Sequence, residues 1–148
     1  MHARLLDALA AAQAGAREHV WKLAAAPQRV TIDIDATLIT SHSEKEGAAG
    51  TFEGGYGFHP LMAYCDETGE ALAAILRPGN AGSNTAADQI AVVERALEQI
   101  PAAHIEDIEI LVRADSAGAT HDLLDFCREH RLRYSVGFDS PKRCAPRS

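Results

Sequence analysis

Between the apolar runs Y-G-F-H-P-L-M-A-Y-C (residues 56–65) and A-L-A-A-I-L-R (71–77) stand only five residues, D-E-T-G-E. A parallel crossover needs about a dozen residues or more, so two strands joined this closely lie antiparallel. A third run, R-V-T-I-D-I-D at 29–35, precedes them; Val30, Ile32 and Ile34 face one way and Thr31, Asp33 and Asp35 the other. The segment between the first and second runs, residues 39–55, sets four glycines among polar side chains and reads as a long exposed turn with no helix in it. The sheet therefore begins as an antiparallel meander.

The second half changes rhythm. After R-P-G-N-A-G-S-N-T at 77–85, the residues Ile90, Val93, Leu97 and Ile100 recur at helical spacing from near Asn84 to Pro101, with Asn84 or Thr85 as the cap. I-E-I-L-V-R-A-D at 108–115 reads as a fourth strand whose apolar density points to burial on both faces. Thr120 opens a helix in which Leu123, Cys127 and His130 share a side, and R-Y-S-V-G-F at 133–138 forms a fifth strand. Two strands separated by a helix run parallel. Ahead of the sheet, Leu5, Leu9, Ala12, Ala16, Val20 and Leu23 mark a helical stripe that ends before Pro27. The expected fold is α/β: a mixed five-stranded sheet, three antiparallel strands followed by helix-strand-helix-strand, flanked by helices.

At 148 residues the chain suits one domain. No apolar stretch reaches the ~18 residues of a membrane span, and Asp7 interrupts the amino-terminal run, so the expected location is the cytoplasm, away from membranes. Cys65, Cys127 and Cys144 are odd in number and lack a C-x-x-C pair, which supports neither a disulfide framework nor a zinc site. A net charge of -7 opposes non-specific attraction to nucleic acid, so any DNA contact has to come from local features.

Asp35 ends the first strand and Asp115 the fourth, each followed by small residues. On parallel neighbouring strands both carboxylates project at one sheet edge. Two acids so close repel unless a divalent cation sits between them, and Mg²⁺ suits such an oxygen site while keeping positions for water or phosphate oxygens. That chemistry is metal-assisted phosphoryl transfer. The plainer alternative is that both aspartates only cap turns.

The blocks D-I-D-A-T-L-I-T-S-H-S-E-K-E-G-A, G-Y-G-F-H-P-L, L-R-P-G-N-A-G-S-N-T-A-A-D, I-L-V-R-A-D-S-A-G and Y-S-V-G-F, running from about Val30 to Phe138, together resemble DDE transposases of bacterial insertion sequences. The resemblance implies a ribonuclease-H-like catalytic core. It also implies two Mg²⁺ or Mn²⁺ ions held by two aspartates and a glutamate, and in-line attack of water or a DNA 3′-hydroxyl in strand cleavage and strand transfer during transposition. Asp35 matches the first acid, in a D-A-T context, and Asp115 the second; Asp33, on the same strand face as Asp35, is the candidate for an assisting acid or for the true ligand.

The third acid has no counterpart. Glu129, the only glutamate after Asp115, precedes the fifth strand. The expected organisation is a helical remnant of a preceding region at 1–28, a partial catalytic domain at 29–139 and a disordered, non-homologous tail at 140–148. On this reading the chain is a truncated transposase, not competent in catalysis alone. Its expected partners are DNA (element ends and target) and a second copy of itself or an intact transposase. His42 and Lys45 after the first acid, and Arg77, Asn80 and Asn84 at a helix start where free amides favour an anion, are the candidate DNA contacts, with Ser43 beside them. A solvated loop and a hydrogen-bonded turn are the plainer alternatives. His59 and His121 lie near the expected sheet edge, where a hydrogen-bonded structural role outweighs a ligand role. His104 and His130 read as surface and helix-edge positions. Two rival readings accompany the family: an inert or interaction-only remnant, and a haloacid-dehalogenase-like phosphotransferase with Asp33 as nucleophile. The latter lacks its lysine, since none lies between Lys45 and Lys142.

Overall fold

The computed structural model describes residues 2–42, 45–82 and 85–137. Five strands form the main sheet: β1 (Arg29–Ala36), β5 (Leu61–Cys65), β6 (Glu70–Ile75), β7 (Glu109–Ala114) and β8 (Arg133–Val136), in the spatial order β6-β5-β1-β7-β8. β5 lies antiparallel to both β1 and β6, while β1–β7 and β7–β8 are parallel. Helices α1 (His2–Ala24), α2 (Ala86–Leu97) and α3 (His121–Glu129) complete the layers. The expected order of three antiparallel strands, then helix, strand, helix and strand, is the one observed.

The 39–55 segment differs from an open turn. It contributes β2 (Ile39–Ser41) and β3 (Ala49–Gly50), which pair on either side of β4 (Tyr56–Phe58) in a second, three-stranded sheet. The run expected as one second strand is thus two. His59 and Pro60 divide it, because Pro60 has no amide to donate to a ladder and His59 bonds sideways, its amide donating to Arg77 O at 2.9 Å.

One face of the main sheet carries the core. Val30, Ile32, Val112 and Leu123 are fully enclosed, joined by Ile34, Leu61, Ala63, Ile110, Val92 and Val93. Each large aliphatic buried there is worth about 1.5–3 kcal/mol. The other face, bearing Asp33, Met62, Tyr64, Leu111 and Arg113, stays half-buried. This corrects the expectation for the fourth strand: Ile110, Val112 and Ala114 are buried, whereas Glu109, Leu111 and Arg113 are only half-buried. The apolar density of β7 reflects one enclosed face plus Leu111.

Helix α1 is also rotated from its expected stripe. Leu5, Leu9, Val20 and Leu23 are exposed, while Arg17 and Trp21 turn inward. Arg17 Nη1 donates to Gln99 O at 2.8 Å, and Trp21 meets His104 edge-on with ring centroids 5.8 Å apart. An aromatic ring and a guanidinium reaching a helix-end carbonyl outweigh smaller leucine contacts. His104 is thereby half-buried instead of lying free on the surface. At α3, Thr120 caps as expected, its Oγ1 accepting from Leu123 N at 3.4 Å. His130 is the exposed C-cap, its ring 4.3 Å from that of Phe126. Among the described residues no helix is long and apolar enough to cross a membrane.

Candidate metal centre at the carboxyl ends of β1 and β7

Register brings the two aspartates together. β1 and β7 pair in parallel through Ile34–Ala114, and the next residue along each strand is Asp35 and Asp115. Adjacent strands lie about 4.8 Å apart, so the two backbones arrive side by side. Alternation places both side chains on the open face, two positions beyond Asp33 and Arg113, and both aspartates are exposed. They line one side of an open 380 Å³ cleft that also takes in Asp33, Tyr64 and Asp66. A larger groove of 410 Å³ between α1, β6 and the end of α2 is lined mostly by leucine and alanine and lies away from the acid pair.

Asp33 and Asp35 share a face but not a role. Asp33 stands opposite Arg113 in the parallel ladder and is gripped at both oxygens, Nε to Oδ1 at 3.0 Å and Nη2 to Oδ2 at 2.7 Å. Arg113 Nη2 also reaches Asp66 Oδ1 at 2.9 Å. The bonds from Asp33 and then Asp66 push the already high pKa of this guanidinium further up. A carboxylate held bidentately by arginine has its lone pairs engaged and its charge matched, which suits a strand-to-strand brace better than a metal ligand. Among the described residues Asp35 has only a long contact, from Thr37 Oγ1 at 3.5 Å.

The turn after β7 is shaped to present Asp115. Its Oδ1 accepts from Ala117 N at 2.9 Å, capping the short 3₁₀ turn Ser116–Gly118. Gly118 is buried against the strand end: a Cβ there would come within 2.3 Å of Ala114 Cβ. Gly137, after β8, lies so close that a Cβ would meet Ser116 N at 2.9 Å, and its own amide donates to Ala114 O at 3.1 Å. Behind β1, Glu67 accepts from Thr31 N at 2.8 Å and Thr31 Oγ1 at 2.7 Å, tying the β5–β6 turn to the strand. Burial pushes the Glu67 carboxyl up, but the Thr31 bonds outweigh it and hold its pKa below the usual value.

The other candidates fall elsewhere. His42, Lys45 and Asn80 are exposed on loops, and Asn84 and Ser43 lie outside the described residues. Arg77 is 4% exposed; its Nε donates to His59 O at 2.9 Å and its Nη1 to Gly82 O at 3.0 Å, so it braces the loop before α2 from within. Thr85 occupies the N-cap position of α2 without a side-chain cap bond. His121 is exposed at the start of α3 and Glu129 is exposed at its end. Among the described residues no group of three or more His, Cys, Asp or Glu side chains is placed to share a metal ion. Arg113 was visible to sequence reading only as a charged residue in an apolar strand; its partner required the register.

The antiparallel β5 beside β1 and the engagement of Asp33 remove the basis for the phosphotransferase alternative. Across solved structures, the chain superposes on the catalytic domain of the Mos1 mariner transposase with a TM-score of 0.54 at 8% identity, covering 89% of this chain and 59% of that one. The piggyBac transposase synaptic complex with hairpin DNA gives 0.53 at 14% identity, covering 80% and 26% respectively. The Mos1 mariner paired-end complex with Mn gives 0.51 at 12%, covering 82% and 39%. At such identities the likeness shows the fold, and the chain spans less than two thirds of each of these proteins. A comparison with curated proteins gave no match. The profile of transposase DDE domain group 1 matches residues 1–147, nearly the whole chain, and the chain therefore belongs to the DDE transposase family.

Proposed function

We propose that this chain is a metal-binding catalytic core for cleavage and transfer of DNA strands in transposition, with Asp35 and Asp115 as its first two acids. The observation that carries the reading is their position: consecutive in register after Ile34–Ala114, side by side at the carboxyl ends of parallel strands, with the nearby guanidinium of Arg113 already taken by Asp33 and Asp66. Two exposed carboxylates in this arrangement fit one hydrated Mg²⁺ or Mn²⁺. A divalent ion bound there polarises a phosphoryl oxygen and lowers the pKa of a water or of a DNA 3′-hydroxyl.

The protein's own contribution is geometric. β1 and β7 hold the two carboxylates at a fixed spacing through their parallel ladder, the Asp33–Arg113 pair bridges the same two strands, and the bond from Ala117 N aims Asp115. Two acids are two of the three that hold the usual pair of ions, so we propose that cleavage needs a further acid from outside the described residues, and that the chain alone binds metal without cutting DNA. His42, Lys45 and Asn80, all exposed, remain the candidate phosphate contacts. The exposed leucines of α1, Leu5, Leu6, Leu9 and Leu23, favour a second role in pairing with another transposase chain.

The test combines melting and plasmid integrity. Mn²⁺ raises the melting temperature of the wild-type chain but not of Asp35→Asn or Asp115→Asn, and a supercoiled plasmid carrying candidate element ends stays intact. Nicking that both substitutions abolish would overturn the proposed incompleteness, while equal Mn²⁺ stabilisation of all three proteins would overturn the metal site.

A further inference from the structure

We propose that α1 is the dimerisation element of this chain, packing antiparallel against α1 of a second copy through an outward stripe of Leu5, Leu9, Ala12, Ala16, Val20 and Leu23. This rests on the chain-pairing role proposed above, makes it specific, and does not depend on the metal. α1 docks on its own domain by a narrow strip: Arg17 and Trp21 are buried, and Ala10, Ala14 and Glu18 are half-buried. At 3.6 residues per turn these five fall on one side of the helix and the stripe on another. All six residues of the stripe are exposed, Leu5 at 69% and Leu23 at 76%. The charged residues of the helix, Arg4, Asp7, Arg17, Glu18 and Lys22, all lie off it. A helix that serves only its own domain turns its apolar stripe inward and its charges outward. Here the apolar stripe faces out and is free of charge over its whole length.

The order of sizes along the stripe selects the partner. Read from either end it is large, large, small, small, large, large. A two-fold interface needs that symmetry, because residue i on one copy meets j on the other and j meets i. Antiparallel pairing about the middle of the helix sets Leu5 against Leu23, Leu9 against Val20 and Ala12 against Ala16. The alanines let the two backbones approach at the crossing point, and the larger side chains fill the space that opens as the axes diverge. The helix macrodipoles favour the same antiparallel orientation.

From Leu5 to Leu23 the stripe is about 27 Å long on a helix about 10 Å wide, a footprint of roughly 270 Å² on each copy. Leu9 also lines the 410 Å³ groove between α1 and β6, so a helix lying on the stripe adds a wall of that groove to the contact. A standard interface takes about 800 Å² of accessible surface from each partner. The contact is therefore at the small end, and the expected state is a reversible dimer that dissociates on dilution. The net charge of -7 on each copy opposes the encounter, so added salt strengthens the dimer.

Sedimentation equilibrium of the full chain across the micromolar range tests this. The wild type is expected to show a monomer-dimer equilibrium. Ala12→Glu and Ala16→Lys each bring a charge into an apolar contact and weaken association at least about tenfold. Ala11→Glu, exposed on α1 but off the stripe, associates like the wild type. The double variant Ala12→Glu/Ala16→Lys recovers the dimer, because antiparallel pairing sets each new carboxylate against the partner's new ammonium, whereas parallel pairing would set like against like. Circular-dichroism melts of dilute samples match the wild type for all of them, since the substituted positions are exposed. Wild-type association in Ala12→Glu, or a double variant that stays as weak as the single ones, overturns this interface and leaves the broader pairing role standing. A wild-type chain that stays monomeric at its highest soluble concentration overturns both, and neither result touches the metal reading.

Discussion

Gly118→Ala and Gly15→Ala make the same chemical change in opposite surroundings. A Cβ at Gly118 would stand 2.3 Å from Ala114 Cβ, about 1 Å inside the 3.4 Å where ordinary contact begins. Neither atom can rotate away, since both are fixed to the backbone, so relief requires the end of β7 or the Asp115–Ala119 turn to move. Overpacking of this kind costs about 1–3 kcal/mol. At about 2–4 °C per kcal/mol for a chain of this size, a loss in the middle of that range lowers the melting temperature by about 4–8 °C. The movement falls on Asp115, next to Ala114 in the chain, so Mn²⁺ binding should weaken as well. At Gly15, in the interior of α1, a Cβ would meet no atom within 4 Å, and alanine there should add about 0.5–1 kcal/mol by its better helix propensity. Circular-dichroism melts of the two variants, with calorimetry to confirm a single transition, give the signs directly. A Gly118→Ala protein that melts at or above the wild-type temperature would refute the close packing of the Asp115 turn.

Asp33→Asn separates brace from ligand. The pair is partly exposed, with side-chain accessibilities of 42% for Arg113 and 36% for Asp33, so its loss should cost about 1 kcal/mol or less, while Mn²⁺ affinity stays within about twofold. Loss of metal binding would make Asp33 the ligand instead. Burial pushes the Cys127 thiol up to about 11 from an ordinary 9.0. Below pH 9 the group is protonated in both states and contributes no pH dependence. Between about 9 and 11 the unfolded chain holds fewer protons than the folded one, so stability falls as pH rises. Denaturant titrations across that window should show the decline in the wild type and less of it in Cys127→Ala; equal slopes would contradict it.

The element order was legible because it rests on local facts. Five residues between two apolar runs permit only an antiparallel joint, and Ile90, Val93 and Leu97 share one helix face whatever surrounds them. Asp35 and Asp115 were legible as strand ends, and their adjacency followed once β1 and β7 were taken as parallel neighbours. What escaped depends on contacts distant in sequence. Arg17 turns α1 because its guanidinium reaches the carbonyl of Gln99, 82 positions away. The distinction between Asp33 and Asp35 lies in Arg113, 80 positions from Asp33, and two aspartates in one alternating strand give no sign of which will meet a guanidinium. On β7 burial alternates, enclosing Ile110, Val112 and Ala114 and leaving Glu109, Leu111 and Arg113 half-buried, and apolar density alone does not reveal it. Arg77 looked like a phosphate contact in a glycine- and asparagine-rich loop, yet it is buried beneath that loop, with Nε bonded to His59 O and Nη1 to Gly82 O.

The most direct measurement is Mn²⁺ affinity, read from the free-ion paramagnetic resonance signal, across the wild type, Asp33→Asn, Asp35→Asn and Asp115→Asn. A metal centre built on consecutive register positions of β1 and β7 predicts that Asp35→Asn and Asp115→Asn each lose at least about tenfold while Asp33→Asn binds as the wild type does. Wild-type binding in Asp35→Asn or in Asp115→Asn would contradict it.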